Sequence, residues 1–491
     1  MKFLMLIAFF SFVITYCTHI QEIHSEYGMG NSPFEEDPKN VAAYISNDCK
    51  TGTEDEDSPR QSIEQVGDAK IGYIEVDDQG WLYPSKKQED QIQVAKKLVS
   101  EAMVKVDKGS ELLVMIFVHG WHHNANRNDC NVNEFRVMVE RAQKIISQRN
   151  NGKVIGLYVG WRGESVDLDL MRYTTVEDRR NAAENVAKGS VRELFAEIQT
   201  LEQSSFNSPI KSVVIGHSFG GLIVYNGLSQ IILTGLKLKP PRRVDSQVAE
   251  TTLSHFKPWP DQVVLINPAF EASRFEILRN TVIKLASESP KPFAPEFPRL
   301  VSITASNDWA TGLVYSSFRK LVTIFQGYED TKTELHEGRR LEEIWANQHT
   351  VGYADRYITH TLCITKNKSI VATHITEPFS KSFDRENNLF CNMNNKKRIL
   401  ADDEYAKDKV KMLYAAGENS PVWVAIATSD IIDQHDGFLF SRKTKTLQPF
   451  LLDWIVCMNT TGVTVEKLGD CQSDALKFKT RTQQHISEIS Q

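Results

Sequence analysis

"KSVVIGHSFGGLIVYNGL", Lys211 to Leu228, passes from a β-branched apolar run through a turn of glycine, histidine and serine into a second apolar run. A short Val/Ile run closed by glycine suits a strand buried on both faces. The stretch that follows, "GLIVYNGLSQIIL", reads as the helix it feeds. Between them, Gly216-His217-Ser218-Phe219-Gly220 has the spacing G-x-S-x-G. On a sharp strand-to-helix turn the central serine stands with its hydroxyl above the sheet edge. Glycines two residues before and two after remove side chains that would collide there. The spacing alone is common by chance; its strand-turn-helix setting singles out Ser218 as a candidate nucleophile.

Working outward, strand and helix patterns alternate. "ELLVMIFVHG" (Glu111 to Gly120) and "GKVIGLYVGWRG" (Gly152 to Gly163) precede the turn as strands. "DQVVLINPAFEA", "PRLVSITASNDWATG" and "PVWVAIATSDIIDQHDGF" follow it. Helical spacing marks Gln91 to Val106, Val132 to Gln148, a long run from Val176 to Gln203, and "TLQPFLLDWIVCM" near the C-terminus. Such alternation predicts an α/β fold, a mainly parallel sheet flanked by helices. One catalytic domain is expected over residues 66–475, opening with a hairpin around the D-D-Q-G turn of Ile71 to Tyr83. Stretches at about 236–260 and 313–420 break the rhythm and read as lid or cap insertions. Residues 21–65 read as a polar leader and 476–491 as a tail.

The chain has 491 residues, 41% hydrophobic and 24% charged, with a net charge of −6. These values suit a globular protein and give no reason to expect a nucleic-acid partner. Residues 1–20 carry one lysine and then a short apolar run, the form of a secretory signal peptide and short for a membrane span. Cys17 stands where a lipoprotein would be lipidated, although Tyr16 is bulky for such a site. The expectation is a secreted or periplasmic protein, with an N-terminal membrane anchor (lipidated or uncleaved) as the alternative. Beyond Cys17 there remain Cys49, Cys130, Cys363, Cys391, Cys457 and Cys471, an even set that reads as a disulfide framework in an exported chain. The pairs nearest in sequence, Cys363 with Cys391 and Cys457 with Cys471, are the simplest expectation.

A serine needs a base, and the base needs an acid to orient it. For serines on this type of turn, the acid and then the histidine follow in chain order. Asp308 closes the strand in "LVSITASNDW", with Glu271 in "NPAFEA" as the alternative acid. His435 falls after the last core strand and before the last helix, with His360 in the insertion as the alternative base. Oxyanion donors are expected from the backbone N–H of Phe219, after the nucleophile, and of Trp121, in the loop "VHGWHHNANRND". That loop's His119, His122 and His123 raise a metal reading, but no carboxylate stands at ligand-like spacing. No metal and no cofactor are expected.

Together, "IFVHGWHHNA", "YVGWRG", "VIGHSFGG", "LINPAFEA", "SITASNDWATG" and "IIDQHDGF" resemble a family of poorly characterised serine esterases, lipase-like, with the α/β-hydrolase fold. The resemblance runs from about Ile71 to near Met458, and implies Ser218, Asp308 and His435 as a catalytic triad. "TVGYADRYITHTL" resembles a further family segment, with Tyr353 where histidine is expected. The resulting expectation is a serine hydrolase of carboxylic esters, acting on a small-molecule or lipid ester through an acyl-enzyme. The other readings are a catalytically silent binding module on the same scaffold, and an acyltransferase or peptidase using the same nucleophile.

Overall fold

The computed structural model describes residues 25–31, 60–83, 90–127, 129–163, 176–204, 207–237, 258–288, 297–324, 326, 344–354, 357–365, 368–374, 420–441, 446–464 and 466–477. Its centre is an eleven-stranded sheet in the order β1-β2-β3-β5-β4-β6-β7-β8-β11-β9-β10. β4 (Leu112–Val118), β5 (Lys153–Trp161), β6 (Ile210–His217), β7 (Gln262–Ile266), β8 (Leu300–Ala305) and β11 (Val422–Ala427) form its middle, and each neighbouring pair there is parallel.

These strands are almost wholly apolar because both faces are covered. Val114, Ile116 and Val118 of β4 enter one core, while Leu113, Met115 and Phe117 enter the other. The period-two alternation of side chains across a strand divides them this way. The first core is covered by α1 (Gln91–Lys105), α3 (Val176–Lys188), α4 (Ser190–Gln203), α5 (Phe219–Lys237) and α6 (Ala272–Glu288). The second is covered by α2 (Cys130–Asn150), α8 (Phe450–Met458) and α9 (Leu468–Ala475). Parallel strands bring every strand-to-helix turn of the middle sheet to one edge, where an α/β protein builds its site.

The structure departs from the sequence expectation in four places. Within the supposed leader, β1 (Ser25–Asn31) and β2 (Arg60–Val66) belong to the sheet, and β2 pairs antiparallel with β3 (Ala69–Val76). β2 escapes a hydropathy reading because its buried positions are Ser62, Glu64 and Val66. Among the described residues the D-D-Q-G turn closes through one bridge, Val76 to Leu82, with the Tyr83 N–H donating to the Glu75 carbonyl at 3.0 Å, while the longer antiparallel partner of β3 lies upstream in β2. The long helix of 176–203 is two, broken at Gly189, where the next N–H (Ser190) bonds the Gly80 carbonyl at 2.8 Å. Part of the 313–420 insertion is sheet, not cap: β9 (His360–Ile364) adds parallel to β11, and β10 (Ile370–His374) adds antiparallel to β9. Its apolar run is too short, and too mixed with His360 and Thr361, to read as a core strand.

Candidate active site

β6 ends at His217 and α5 begins at Phe219, leaving Ser218 alone in the turn with φ of +54°. A non-glycine residue in the left-handed region costs of order 1–3 kcal/mol and persists only where its surroundings hold it. Here three backbone bonds do so. The Ser218 N–H donates to the Ile266 carbonyl at 3.0 Å, and its carbonyl accepts from Gly221 at 3.0 Å and Ala269 at 3.1 Å. The flanking glycines are a steric demand: a Cβ on Gly220 would overlap the carbonyl oxygens of Val118 and His119, and one on Gly216 would overlap the Gly220 carbonyl.

Asp308 and His435 reach this serine from the ends of β8 and β11. His435 Nε2 lies 2.8 Å from Ser218 Oγ, and its Nδ1 lies 3.0 and 3.1 Å from the two Asp308 carboxylate oxygens. Asp308 is fully buried, and its carboxylate also accepts from the Thr311 hydroxyl at 2.5 Å and from the N–H groups of Ala310 and Thr311 at 3.0 and 3.2 Å. Burial alone would raise its pKa; the facing imidazole and the Thr311 donors overcome that and lower it. Burial likewise pulls His435 down, but the Asp308 charge and hydrogen bond outweigh it and lift the imidazole to about 9. Below about 9 the imidazole therefore carries a proton on both nitrogens; once it is neutral, the carboxylate holds the remaining proton on Nδ1 and leaves Nε2 to accept from the serine.

The loop bearing His435 is pinned by residues that the motif reading passed over. Asn267 donates to the carbonyls of Gln434 and His435 at 3.0 and 2.6 Å, and its own side-chain oxygen accepts from Ala305 N–H at 2.8 Å. His217 Nε2 donates to the same His435 carbonyl at 2.9 Å, and burial holds that ring near a pKa of about 3, neutral throughout. Asn307 accepts from Gln434 N–H at 3.0 Å. The signal was present in sequence as polar residues directly after apolar strands, in "LINPAF" and "ITASNDW". Tyr353, standing where histidine is expected, donates its hydroxyl to the Asp308 backbone carbonyl and so packs over the acid's turn.

Phe219 is the first residue of α5, so its N–H has no intrahelical acceptor and stands next to Ser218. The loop carrying Trp121 presses against the same turn: a Cβ on Gly120 would sit 2.8 Å from the Ser218 Cβ. Neither alternative acid nor alternative base reaches the serine. Glu271 is committed to Arg180, Arg274 and Arg319. His360 lies on β9, buried, bonded to the Thr359 hydroxyl at 2.8 Å and stacked on Trp423.

Two of the loop histidines bond within the protein. Asp129, too far along the loop to stand at ligand-like spacing, folds back as the cap of α2 and lies 3.2 Å from His123 Nδ1. His119 bonds Gly120 O through Nδ1 and accepts Trp161 N–H on Nε2, and burial lowers its pKa to about 4. Among the described residues, His217, His435 and Asp436 are near enough to share a cation. Both His435 nitrogens, however, already face Ser218 and Asp308, so binding there would dismantle the hydrogen-bonded line. Cys457 and Cys471 form a disulfide joining α8 to α9, with Cα atoms 5.9 Å apart. Cys130 and Cys363 are also disulfide-bonded. Cys17, Cys49, Cys391 and the N-terminal apolar segment lie outside the described residues.

No protein-family model matches the chain, and comparison with curated proteins finds no match either. Among solved structures, phospholipase PlaB from Legionella pneumophila matches with 12% identity and a TM-score of 0.23. The match covers 54% of this chain and 49% of PlaB, so the chain spans about half the length of that protein.

Proposed function

We propose that this chain is a serine hydrolase of carboxylic esters with the α/β-hydrolase fold, working through an acyl-enzyme. The observation that carries the reading is the unbroken line Ser218 Oγ, His435 Nε2, His435 Nδ1, Asp308, with the serine on a strained turn. In the proposed reaction Ser218 Oγ attacks the ester carbonyl as His435 Nε2 takes its proton. Asp308 keeps the imidazole oriented and stabilises it once charged. The N–H groups of Phe219 and Trp121 receive the developing oxyanion, each such donor being worth about 3 kcal/mol. His435 then returns the proton to the leaving alcohol, and the same base activates the water that frees the acyl group. Small-molecule or lipid esters are the proposed substrates. Export is part of the proposal and is supported by the Cys457–Cys471 disulfide and by the N-terminal apolar segment.

A fluorophosphonate probe tests the reading. The folded native protein is expected to label, with Ser218→Ala and His435→Ala blank, and to hydrolyse p-nitrophenyl esters in the same pattern. A native protein that neither labels nor turns over any ester, or a Ser218→Ala variant that still labels, would overturn it.

A further inference from the structure

The motif "YVGWRG", Tyr158 to Gly163 at the end of β5, takes no part in the hydrogen-bonded line from Ser218 to Asp308. In the sheet β5 lies on one side of β4, and β6, with Ser218 after it, lies on the other. The base is held from the far side of the serine, by Asn267 after β7 and by Asp308 in the turn that leads to α7 (Tyr315–Val322). The loop after β4, which carries Trp121, has β5 as its neighbour instead.

The residues of the motif meet that loop one after another. Tyr158 donates its hydroxyl to the Asn124 carbonyl at 2.9 Å. Gly160 lies against Ala125, whose side chain a Cβ on the glycine would overlap. Trp161 donates twice to His119, from its backbone N–H to the ring Nε2 and from its indole to the backbone carbonyl, both at 3.0 Å. Their two rings stack nearly parallel. Gly163 donates to the His123 carbonyl at 3.0 Å and accepts from the His122 N–H at 3.2 Å. A Cβ on Gly163 would overlap the carbonyl oxygens of His123 and Gly120. Arg162 turns the other way and ties the motif to the D-D-Q-G turn: its guanidinium pairs with Asp78. Arg179, 2.8 Å from the same carboxylate, donates to the Arg162 carbonyl at 2.9 Å.

These bonds bear on Trp121 from both sides. Gly120 before it packs on Ser218. His122 after it stands at φ of +68°, a strained conformation that persists only where its surroundings hold it. Gly163 does so, bonding both the His122 N–H and the His123 carbonyl. The Trp121 N–H is thus carried between one residue packed on the serine and one bonded to the end of β5.

We propose that Tyr158, Trp161 and Gly163 are positioning residues that hold the Trp121 N–H where the oxyanion forms at Ser218, with Asp78 and Arg162 anchoring them. This rests on the hydrolase reading and gives the motif a task within that same site. An oxyanion donor is most effective when it already waits where charge develops; a donor free to swing must be reordered in each turnover. A loop bonded along a buried strand supplies that fixed placement.

The test uses the full chain with Tyr158→Phe and Trp161→Phe, which each remove one side-chain donor and keep a ring, and with Gly163→Ala, which drives a Cβ into the loop. Fluorophosphonate labelling, carried to completion, counts the folded active sites. Per labelled serine, kcat on a p-nitrophenyl ester should fall about 10-fold in the first two variants and about 100-fold in the third, with KM changed less than about threefold. Affinity for a trifluoromethyl ketone, whose adduct with Ser218 bears the oxyanion, should weaken by the same factor as kcat/KM. The pH inflection near 9 should stay, because Asp308 and His435 are untouched. Residues that only stabilised the fold would lower the labelled fraction and leave kcat per labelled serine and inhibitor affinity as in the native protein, and that result overturns the proposal. A shifted inflection also overturns it, since the damage would then lie at the base. If Gly163→Ala does not fold, the two phenylalanine variants still decide. Native protein that turns over no ester fails the hydrolase reading itself, whereas active native protein with undiminished variants fails only this inference.

Discussion

The middle of the sheet and its β1–β2–β3 edge solve one problem, covering a strand, with opposite chemistry. β4, β5 and β6 bury Val, Leu, Ile and Phe on both faces. β2 buries a carboxylate instead. Glu64 receives Arg136 Nε and Nη2 at 2.6 and 2.9 Å and the Tyr73 hydroxyl at 2.7 Å. Arg136, fully buried in α2, spends its remaining Nη1 on Arg127 O and Asn133 Oδ1. Apolar burial is non-directional and announces itself strand by strand. A buried ion pair is invisible until its partner, 72 residues away, is known. The centre can therefore carry the strained turn at Ser218 on generic packing, while the edge depends on individual bonds.

The largest expected effect breaks chemistry at the centre without touching stability. Ser218→Ala should reduce kcat by on the order of 10⁴–10⁶, measured on a p-nitrophenyl ester, while its melting temperature stays within a few degrees of native. A kcat within tenfold of native would mean that the centre's turn is only architecture.

Next in size is Asp308→Asn, expected to cost on the order of 10⁴ in kcat because the amide favours the wrong imidazole tautomer. Its pH profile is equally telling. The base works only when neutral, so with His435 lifted to about 9, native kcat/KM should climb with pH through about 9. The variant's inflection should fall toward the ordinary imidazole range. The same shift makes His435 a source of stability that is fully present below about 6.5, its unfolded value, and lost as pH rises through about 9. The melting-temperature gap between native protein and His435→Ala should therefore shrink across that window. A gap that widens with pH contradicts the assignment.

At the edge the expectation reverses: stability suffers and chemistry does not. Glu64→Gln should destabilise the fold by about 3–5 kcal/mol, since it leaves a buried guanidinium without its charge partner. Denaturant unfolding measures this, and kcat of the folded fraction should match native. Replacing both members, Glu64→Leu with Arg136→Met, should recover much of the loss, because well-packed apolar residues often equal a buried pair. An edge indifferent to Glu64→Gln would erase the contrast.

The same difference explains what could be read from sequence. Ser218, Asp308 and His435 stand out because each follows an apolar strand, and the structure draws all three into one hydrogen-bonded line. β2 and β9 did not stand out, because Glu64 and His360 occupy buried positions that a hydropathy pattern assigns to loops. Glu271 looked like an acid at a strand end, and only the folded chain reveals the three arginines that claim it. Asp129 lies six residues beyond His123 in the chain, and only the closed loop brings the two together.

The smallest effect separates positioning from chemistry within the centre itself. Asn267 touches neither Ser218 Oγ nor the His435 ring, yet it holds the His435 backbone through two carbonyls while standing at φ of +45°. Asn267→Ala frees that loop on one side, with His217 still bonded to the His435 carbonyl on the other. Misplacing a base by about 1 Å costs up to 10²-fold, so kcat should fall by about 10–100-fold while KM changes little. Because the Asp308 contact would loosen with the loop, the pH inflection should also move down from about 9, which mere loss of stability would not cause. Unchanged kcat and an unmoved inflection would show that the packing around the turn, not this side chain, keeps His435 over the serine. The centre would then be as generic in holding its base as it is in burying its strands.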